Sequence, residues 1–172
     1  MQKILILLIV LVIFSCGSKS NKTEKLTASR IETIKVGTPL DSVIAILGKP
    51  TSVDIRWEYN YSTICAKDFT PTDSIDVIKR INYWKNDTTC KTKEITNSKF
   101  LKFRVCLWYT RKVSWVPWTN WLWVHLGSNL TVYHVLAKRY YHFFDDEPIY
   151  STGADETTYW SGKSTFYNTF PE

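Results

Sequence analysis

Histidine is the residue type in this chain best suited to metal or acid–base chemistry, and it occurs at His125, His134 and His142. His134 and His142 have the same strand parity, so together with Asp145 or Asp146 they are candidate ligands of one metal ion. Eight residues of extended strand span roughly 26 Å at about 3.3 Å per residue, which is too far for two ligands of one ion. We therefore expect no metal site.

Cysteine is the other reactive residue type. Cys106 and His134 are a candidate nucleophile and base, but the sequence provides no third group to orient the histidine and no loop to bind an oxyanion. The chain also lacks GxSxG, HExxH and P-loop motifs, and it has only six glycines. These observations predict a protein that is not an enzyme and that carries no cofactor.

The N-terminus carries a targeting pattern. Lys3 precedes the apolar run 4–14, which is shorter than the roughly 20 residues that a membrane span requires. The run ends in Ser15-Cys16-Gly17, which resembles a bacterial lipobox, and a conventional cleaved secretory signal is the alternative. The resemblance implies that residues 1–15 are a lipoprotein signal peptide and that Cys16 carries diacylglycerol, with acyl chains of the palmitate kind.

A lipid on Cys16 would place the protein on a membrane. Two or three acyl chains hold a protein stably, since each buried methylene contributes about 0.8 kcal/mol. Gly17 is not the aspartate that resembles an inner-membrane retention signal, so we expect an outer-membrane, lipid-anchored protein that faces the periplasm. Residues 16–27 are rich in Ser, Lys and Asn and predict a flexible tether.

The rest of the chain, residues 28–172, has the length of a single domain. The whole chain is 44% hydrophobic and 15% aromatic, which is enough to build a core. Its net charge of +6 would suit nucleic acid, but an anchored envelope protein meets anionic lipid or peptidoglycan instead, so we expect no nucleic-acid partner. In an oxidising compartment Cys65 and Cys90 would close the polar segment between them, and a Cys90–Cys106 bridge or none is the alternative.

One stretch of the domain predicts a helix followed by a strand. Thr38 is a candidate N-cap and Pro39 the first helical residue, while Gly48 and Pro50 stop the helix. The apolar stripe has helical spacing at Leu40, Val43, Ile44 and Leu47. After a turn at residues 51–54, the pattern of a strand with one buried face comprises Ile55, Trp57, Tyr59 and Tyr61.

This unit resembles the SmpA/OmlA, or BamE-like, family of outer-membrane lipoproteins over residues 28–61. The residues that carry the resemblance are Ile31, Ile34, Gly37, Val43, Leu47, Gly48, Pro50, Trp57 and Tyr59. The resemblance implies an α+β fold in which short N-terminal helices pack on a small antiparallel sheet. It also implies an accessory role in the machinery that inserts β-barrels, although the same unit resembles repeats of secreted β-lactamase inhibitors.

Beyond this unit the chain predicts further strands and a long Trp-rich insertion or extension. Residues 99–109 and 131–144 are strand candidates, and Ile149-Tyr150 would begin a return strand. Residues 74–84 fit either a strand or a short helix, and periodicity does not decide between them.

The Trp-rich segment is the candidate binding patch, and its members are Trp115, Trp118, Trp121 and Trp123. Such rings favour membrane interfaces and protein hot spots, and they can also stack on sugars. The alternative is a strand–turn–strand corner, with Pro117 and Asn120 in the turn, whose tryptophans pack over the sheet.

The sequence therefore predicts a lipid-anchored envelope lipoprotein that acts as a protein-binding or scaffold module, in outer-membrane assembly or maintenance, with an unidentified envelope protein as its partner. The alternative is a protein that binds peptidoglycan or another glycan through the Trp-rich segment.

Overall fold

A computed structural model of the protein describes residues 26–90, 98–112, 118–141, 147–153, 157–158 and 162–170. The fold is α+β, as predicted. The helices are α1 (Ala28–Thr33), α2 (Leu40–Leu47), α3 (Ser74–Asn86) and α4 (Gly162–Thr169). The strands are β1 (Ser52–Tyr59), β2 (Ser62–Phe69), β3 (Leu101–Lys112), β4 (Trp118–Leu126), β5 (Val132–Tyr141), β6 (Glu147–Thr152) and the two-residue β7 (Thr157–Thr158).

The strands form one antiparallel sheet in the order β2-β1-β3-β4-β5-β6-β7. Its register aligns apolar residues of equal parity across the middle strands, for example Val53 opposite Leu107, then Val124 and Val135. All four are fully buried, and they share one core with the buried residues of the helices. We call this side of the sheet the helix face and the opposite side the open face.

Helix α2 buries the predicted stripe, since Leu40, Val43, Ile44 and Leu47 are all buried. Its predicted N-cap was wrong. Pro39 is the N-cap, with extended backbone and no side-chain cap bond, because it forms an isolated bridge with Thr131 of the β4–β5 connection. The Thr38 hydroxyl instead accepts a hydrogen bond from the Lys35 amide, at 3.0 Å. A tertiary contact therefore sets where this helix begins.

Strand β1 begins earlier and ends earlier than predicted. Ser52 already belongs to the strand, so the turn predicted at residues 51–54 was wrong. Tyr61 is not on the buried face: it lies in the β1–β2 turn with φ +69°, beside Asn60 with φ +48°, and is 95% exposed. Two consecutive residues with positive φ are typical of the tight hairpin turns that match strand twist.

Two residues that precede the predicted start of the domain, Leu26 and Thr27, contact the folded part. Leu26 is buried in the core, and the Thr27 hydroxyl accepts a hydrogen bond from the Arg30 amide as the N-cap of α1. Both residues belong to the segment predicted as tether. The remainder of that tether and residues 1–15 lie outside the described residues.

Residues 74–84, for which the sequence fitted either a strand or a helix, belong to helix α3. Asp73 caps it by accepting from the Asp76 amide at 2.8 Å, and Val77 and Ile81 enter the core. A disulfide joins Cys65 of β2 to Cys90, just after α3, and thereby ties this helix to the edge of the sheet. Cys106 is a free cysteine.

Strand β4 contains a residue that the sequence placed in a turn. Asn120 lies within β4 on the helix face and is 1% exposed. Its side-chain amide donates to the Thr169 carbonyl of α4 at 3.3 Å, and the Arg139 guanidinium donates to the Thr169 hydroxyl at 2.8 Å. These bonds hold α4 against the sheet. Pro117, the other residue of the predicted turn, lies outside the described residues.

Replacing Gly48 tests the end of α2. Gly48 has φ +79°, and a β-branched residue there should destabilise the fold by about 1–2 kcal/mol. We expect Gly48→Val to lower the melting temperature more than Lys49→Ala, which removes only the hydrogen bond from Lys49 Nζ to the Pro71 carbonyl. Equal melting temperatures for the two variants would contradict this account of the helix end.

Removing the disulfide tests how strongly it restrains the unfolded chain. For a sequence separation of 25 residues, loop-closure entropy predicts a loss of about 3.5 kcal/mol in the double variant Cys65→Ser/Cys90→Ser. Chemical denaturation with and without a reducing agent measures it. The Cys106→Ser control should respond to the reducing agent as the wild-type protein does, and the double variant should not respond. A wild-type protein whose stability is the same in both conditions would argue against a stabilising bridge.

Candidate functional site

The chemically active side chains converge on the open face. Strand register places Asp54 opposite Cys106, Cys106 opposite His125, and His125 opposite His134, so these residues form a row across β1, β3, β4 and β5. A parallel row places Trp108 opposite Trp123. Because side chains alternate along a strand, both rows point away from the helix face.

A cavity of about 390 Å³ lies on this face. That volume is at the small end of the roughly 300–1,000 Å³ found for ligand pockets. Four strands contribute to its lining, which includes Arg56, Glu58, Arg104, Trp108, Trp123 and His125. The lining combines aromatic rings with side chains of both charges.

Two ion pairs hold the charged part of the lining. Arg56 donates to one Asp54 carboxylate oxygen from two nitrogens, at 2.6 and 2.9 Å. Arg104 Nε lies 3.5 Å from a Glu58 oxygen, and the Arg104 guanidinium lies over the ring of Tyr133 at 4.5 Å. The pKa of Arg56 is raised, chiefly by its hydrogen bond to Asp54. Each of these two arginines therefore has a carboxylate beside it.

The two histidines of the row stack on one another, with ring centroids 5.3 Å apart and planes 25° apart. The pKa of His125 is lowered to about 4, chiefly by burial and also by His134, Arg104 and Arg56, while Asp54 acts in the opposite direction. Burial also lowers the pKa of His134, whose Nε2 lies 3.0 Å from the Ser151 hydroxyl. Both imidazoles are therefore neutral at pH 7.

Cys106 is poorly suited to nucleophilic chemistry. The pKa of its thiol is raised to about 12, chiefly by burial and also by Asp54, while Arg56 acts in the opposite direction, so the reactive thiolate is scarce at neutral pH. Its cross-strand neighbour is His125, which lies between it and the His134 that the sequence considered as its base. The His125–His134 pair was not predicted from the sequence, because the two residues meet only through the pairing of β4 with β5.

The tryptophans of the predicted patch have different positions. Trp121 and Trp123 lie on the open face and pack edge to face with each other and with Trp108, with centroids 5.2 to 6.1 Å apart. Trp118 opens β4, and Trp115 lies outside the described residues. Trp123 is 8% exposed, and its indole Nε1 is buried without a hydrogen-bond partner among the described residues. Packing over the sheet, the alternative considered from sequence, applies to Trp121 and Trp123.

The candidate metal and lipidation sites lie partly outside the described residues. In the described ranges, no group of three or more His, Cys, Asp or Glu residues is arranged to hold a metal ion. His142, Asp145, Asp146 and the lipidation candidate Cys16 lie outside those ranges. None of the helices in the described part of the chain is long and apolar enough to cross a membrane.

A scan against protein families, a search of curated proteins and a search of solved structures each found no match.

The partly buried His125 predicts a stability that falls on mild acidification. Because the folded-state pKa is about 4 against an ordinary 6.5, the unfolded chain binds the proton first as the pH drops. The contribution is fully present above about pH 6.5 and is lost as the pH falls towards 4. Between about pH 7 and pH 5 the loss should be about 2 kcal/mol in the free energy of unfolding, measured by urea denaturation. His125→Gln should flatten this dependence, and an unchanged pH slope in that variant would contradict the assignment.

Proposed function

We propose that this protein is a lipid-anchored, non-enzymatic binding or scaffold module of the bacterial outer membrane, held by a lipid on Cys16 and facing the periplasm. Its recognition surface is the open face of the sheet. The observation that carries this proposal is the cavity there, which no described helix or strand covers and which several strands build together.

The residue types on this face support binding to a partner. Trp, Tyr and Arg are the side chains most enriched in the energetic hot spots of protein interfaces. The open-face cavity is lined by Trp108, Tyr133, Arg56 and Arg104 together. An envelope protein is the partner that the resemblance of residues 28–61 to BamE-like lipoproteins favours, and a role in outer-membrane assembly or maintenance follows from the same resemblance.

The chemistry of the site argues for binding over catalysis. Cys106 is protonated at neutral pH, and each carboxylate of the cavity has an arginine beside it. Asp54 and Glu58 are four residues apart on one strand, which corresponds to roughly 13 Å. That exceeds the roughly 5–9.5 Å between the two carboxyl groups of glycoside hydrolases.

A glycan is the second candidate ligand. The specific observation in its favour is that Trp108 and Trp123 border the same cavity as the charged side chains. The site differs from the one predicted, since it uses the sheet face rather than the whole Trp-rich segment.

Affinity purification from gently solubilised envelopes tests the proposed function. We expect the full-length protein to recover an envelope component that is lost with the unlipidated variant Cys16→Ser. The double variant Arg56→Ala/Trp108→Ala should also lose it, because both side chains line the cavity.

The matched control is Tyr83→Ala, on the exposed side of α3, where the side chain is 65% exposed. This variant should retain the partner. Equal recovery with the cavity variant and the wild-type protein would contradict a recognition role for the open face, and equal recovery with Cys16→Ser would contradict the anchor.

A further inference from the structure

We infer that the open-face cavity binds a saccharide, through Trp108, which packs against the buried Trp123, and through the paired charged groups beside it. This inference rests on the proposed function, because it assigns a ligand class to the same face.

The charges of the cavity favour a neutral ligand with many hydroxyl groups. An anionic ligand is bound best by cations that lack a carboxylate partner, yet Arg56 is bonded to Asp54 and Arg104 lies against Glu58. Such pairs present donors and acceptors side by side at fixed positions. Adjacent hydroxyl groups of a sugar, each of which both donates and accepts, match that arrangement.

Two further polar groups, Lys138 and His125, line the cavity. Lys138 Nζ lies over the Trp123 ring, 5.6 Å from its centre, so we expect the sugar to pack on Trp108. His125 is uncharged at neutral pH and offers one donor and one acceptor. An apolar ligand would remove the hydrogen bonds that these groups make to water and supply none in their place. The cost is about 1–3 kcal/mol for each group.

The aromatic side of the cavity supplies an apolar surface for the C–H groups of a sugar. Trp108 and Trp123 face one another across β3 and β4 with centroids 5.2 Å apart and planes 83° apart. Edge-to-face packing fixes both indoles before any ligand arrives, which reduces the entropy lost on binding. The C–H face of a pyranose ring is the part of a sugar that packs on such rings.

Isothermal titration calorimetry of the full-length protein in detergent tests the inference. The probes are chitotetraose and maltotetraose, with inorganic phosphate as the anionic probe, and cosedimentation with purified cell-wall sacculi asks whether the saccharide belongs to the wall. We expect at least one tetrasaccharide to bind with a dissociation constant in the millimolar range or tighter, and phosphate not to compete with it. Binding of chitotetraose together with the sacculi would assign the wall as its source, and binding of maltotetraose alone would assign a soluble saccharide.

The variants Trp108→Ala and Trp121→Ala form a matched pair. Both tryptophans belong to the same cluster on the open face, but only Trp108 lines the cavity. We expect about tenfold weaker binding for Trp108→Ala, a loss of about 1.4 kcal/mol, and little change for Trp121→Ala. Arg56→Met, which keeps the side chain long but removes its donors, should weaken binding as well and does not disturb the cluster.

Three results would overturn the inference: no binding of either tetrasaccharide or of sacculi, competition by phosphate, or an equal loss in both tryptophan variants. If no saccharide binds while the envelope component is still recovered through Arg56 and Trp108, the face is a protein-docking surface and the proposed function stands without this inference. If a saccharide binds but no component is recovered, the inference stands alone.

Discussion

The antiparallel pairing of β1 with β3 is the interaction on which the rest of the structure depends. It joins residues far apart in the chain, for example Ile55 with Val105 and Asp54 with Cys106. Because the side-chain period of a strand is two, a slip of one residue would expose Val105 and bury Cys106 in its place. Fully burying each apolar side chain on the helix face contributes roughly 1.5–3 kcal/mol, so the core itself enforces the register that assembles the open face.

The described part of the segment between these two strands contains regular structure, which reduces the entropic cost of bringing the strands together. Residues 60–100 include β2, α3 and the Cys65–Cys90 disulfide. Loop-closure entropy rises only slowly with length, and here α3 also adds Val77 and Ile81 to the core. The helix in this segment was not predictable from its polar composition, because it presents only a narrow apolar stripe to the core.

Local periodicity predicted the helices and strands that bury one regular face. The stripe of α2 and the alternation in β3 are visible in sequence because burial on one face selects apolar residues at that spacing. Contacts between distant segments were not predictable this way. Pro39 is a cap because it meets Thr131, and Asn120 is buried because α4 supplies a carbonyl for its amide. The pairing of His125 with His134 left a weak signal, since Gly127 and Asn129 between them suggest a hairpin turn.

The charged pairs of the open face are better explained by recognition than by stability. Arg56 is about half exposed, and the Arg104 and Glu58 side chains are each 30% exposed. Ion pairs this accessible to water contribute roughly 0–1 kcal/mol. The alternation of apolar and polar residues along each strand explains why these positions of the open face are polar. It does not determine which polar residue occupies each position. Stability thus places little demand on which polar residues stand here, and the grouping of two arginine–carboxylate pairs beside two ordered indoles is the arrangement that the proposed saccharide site requires.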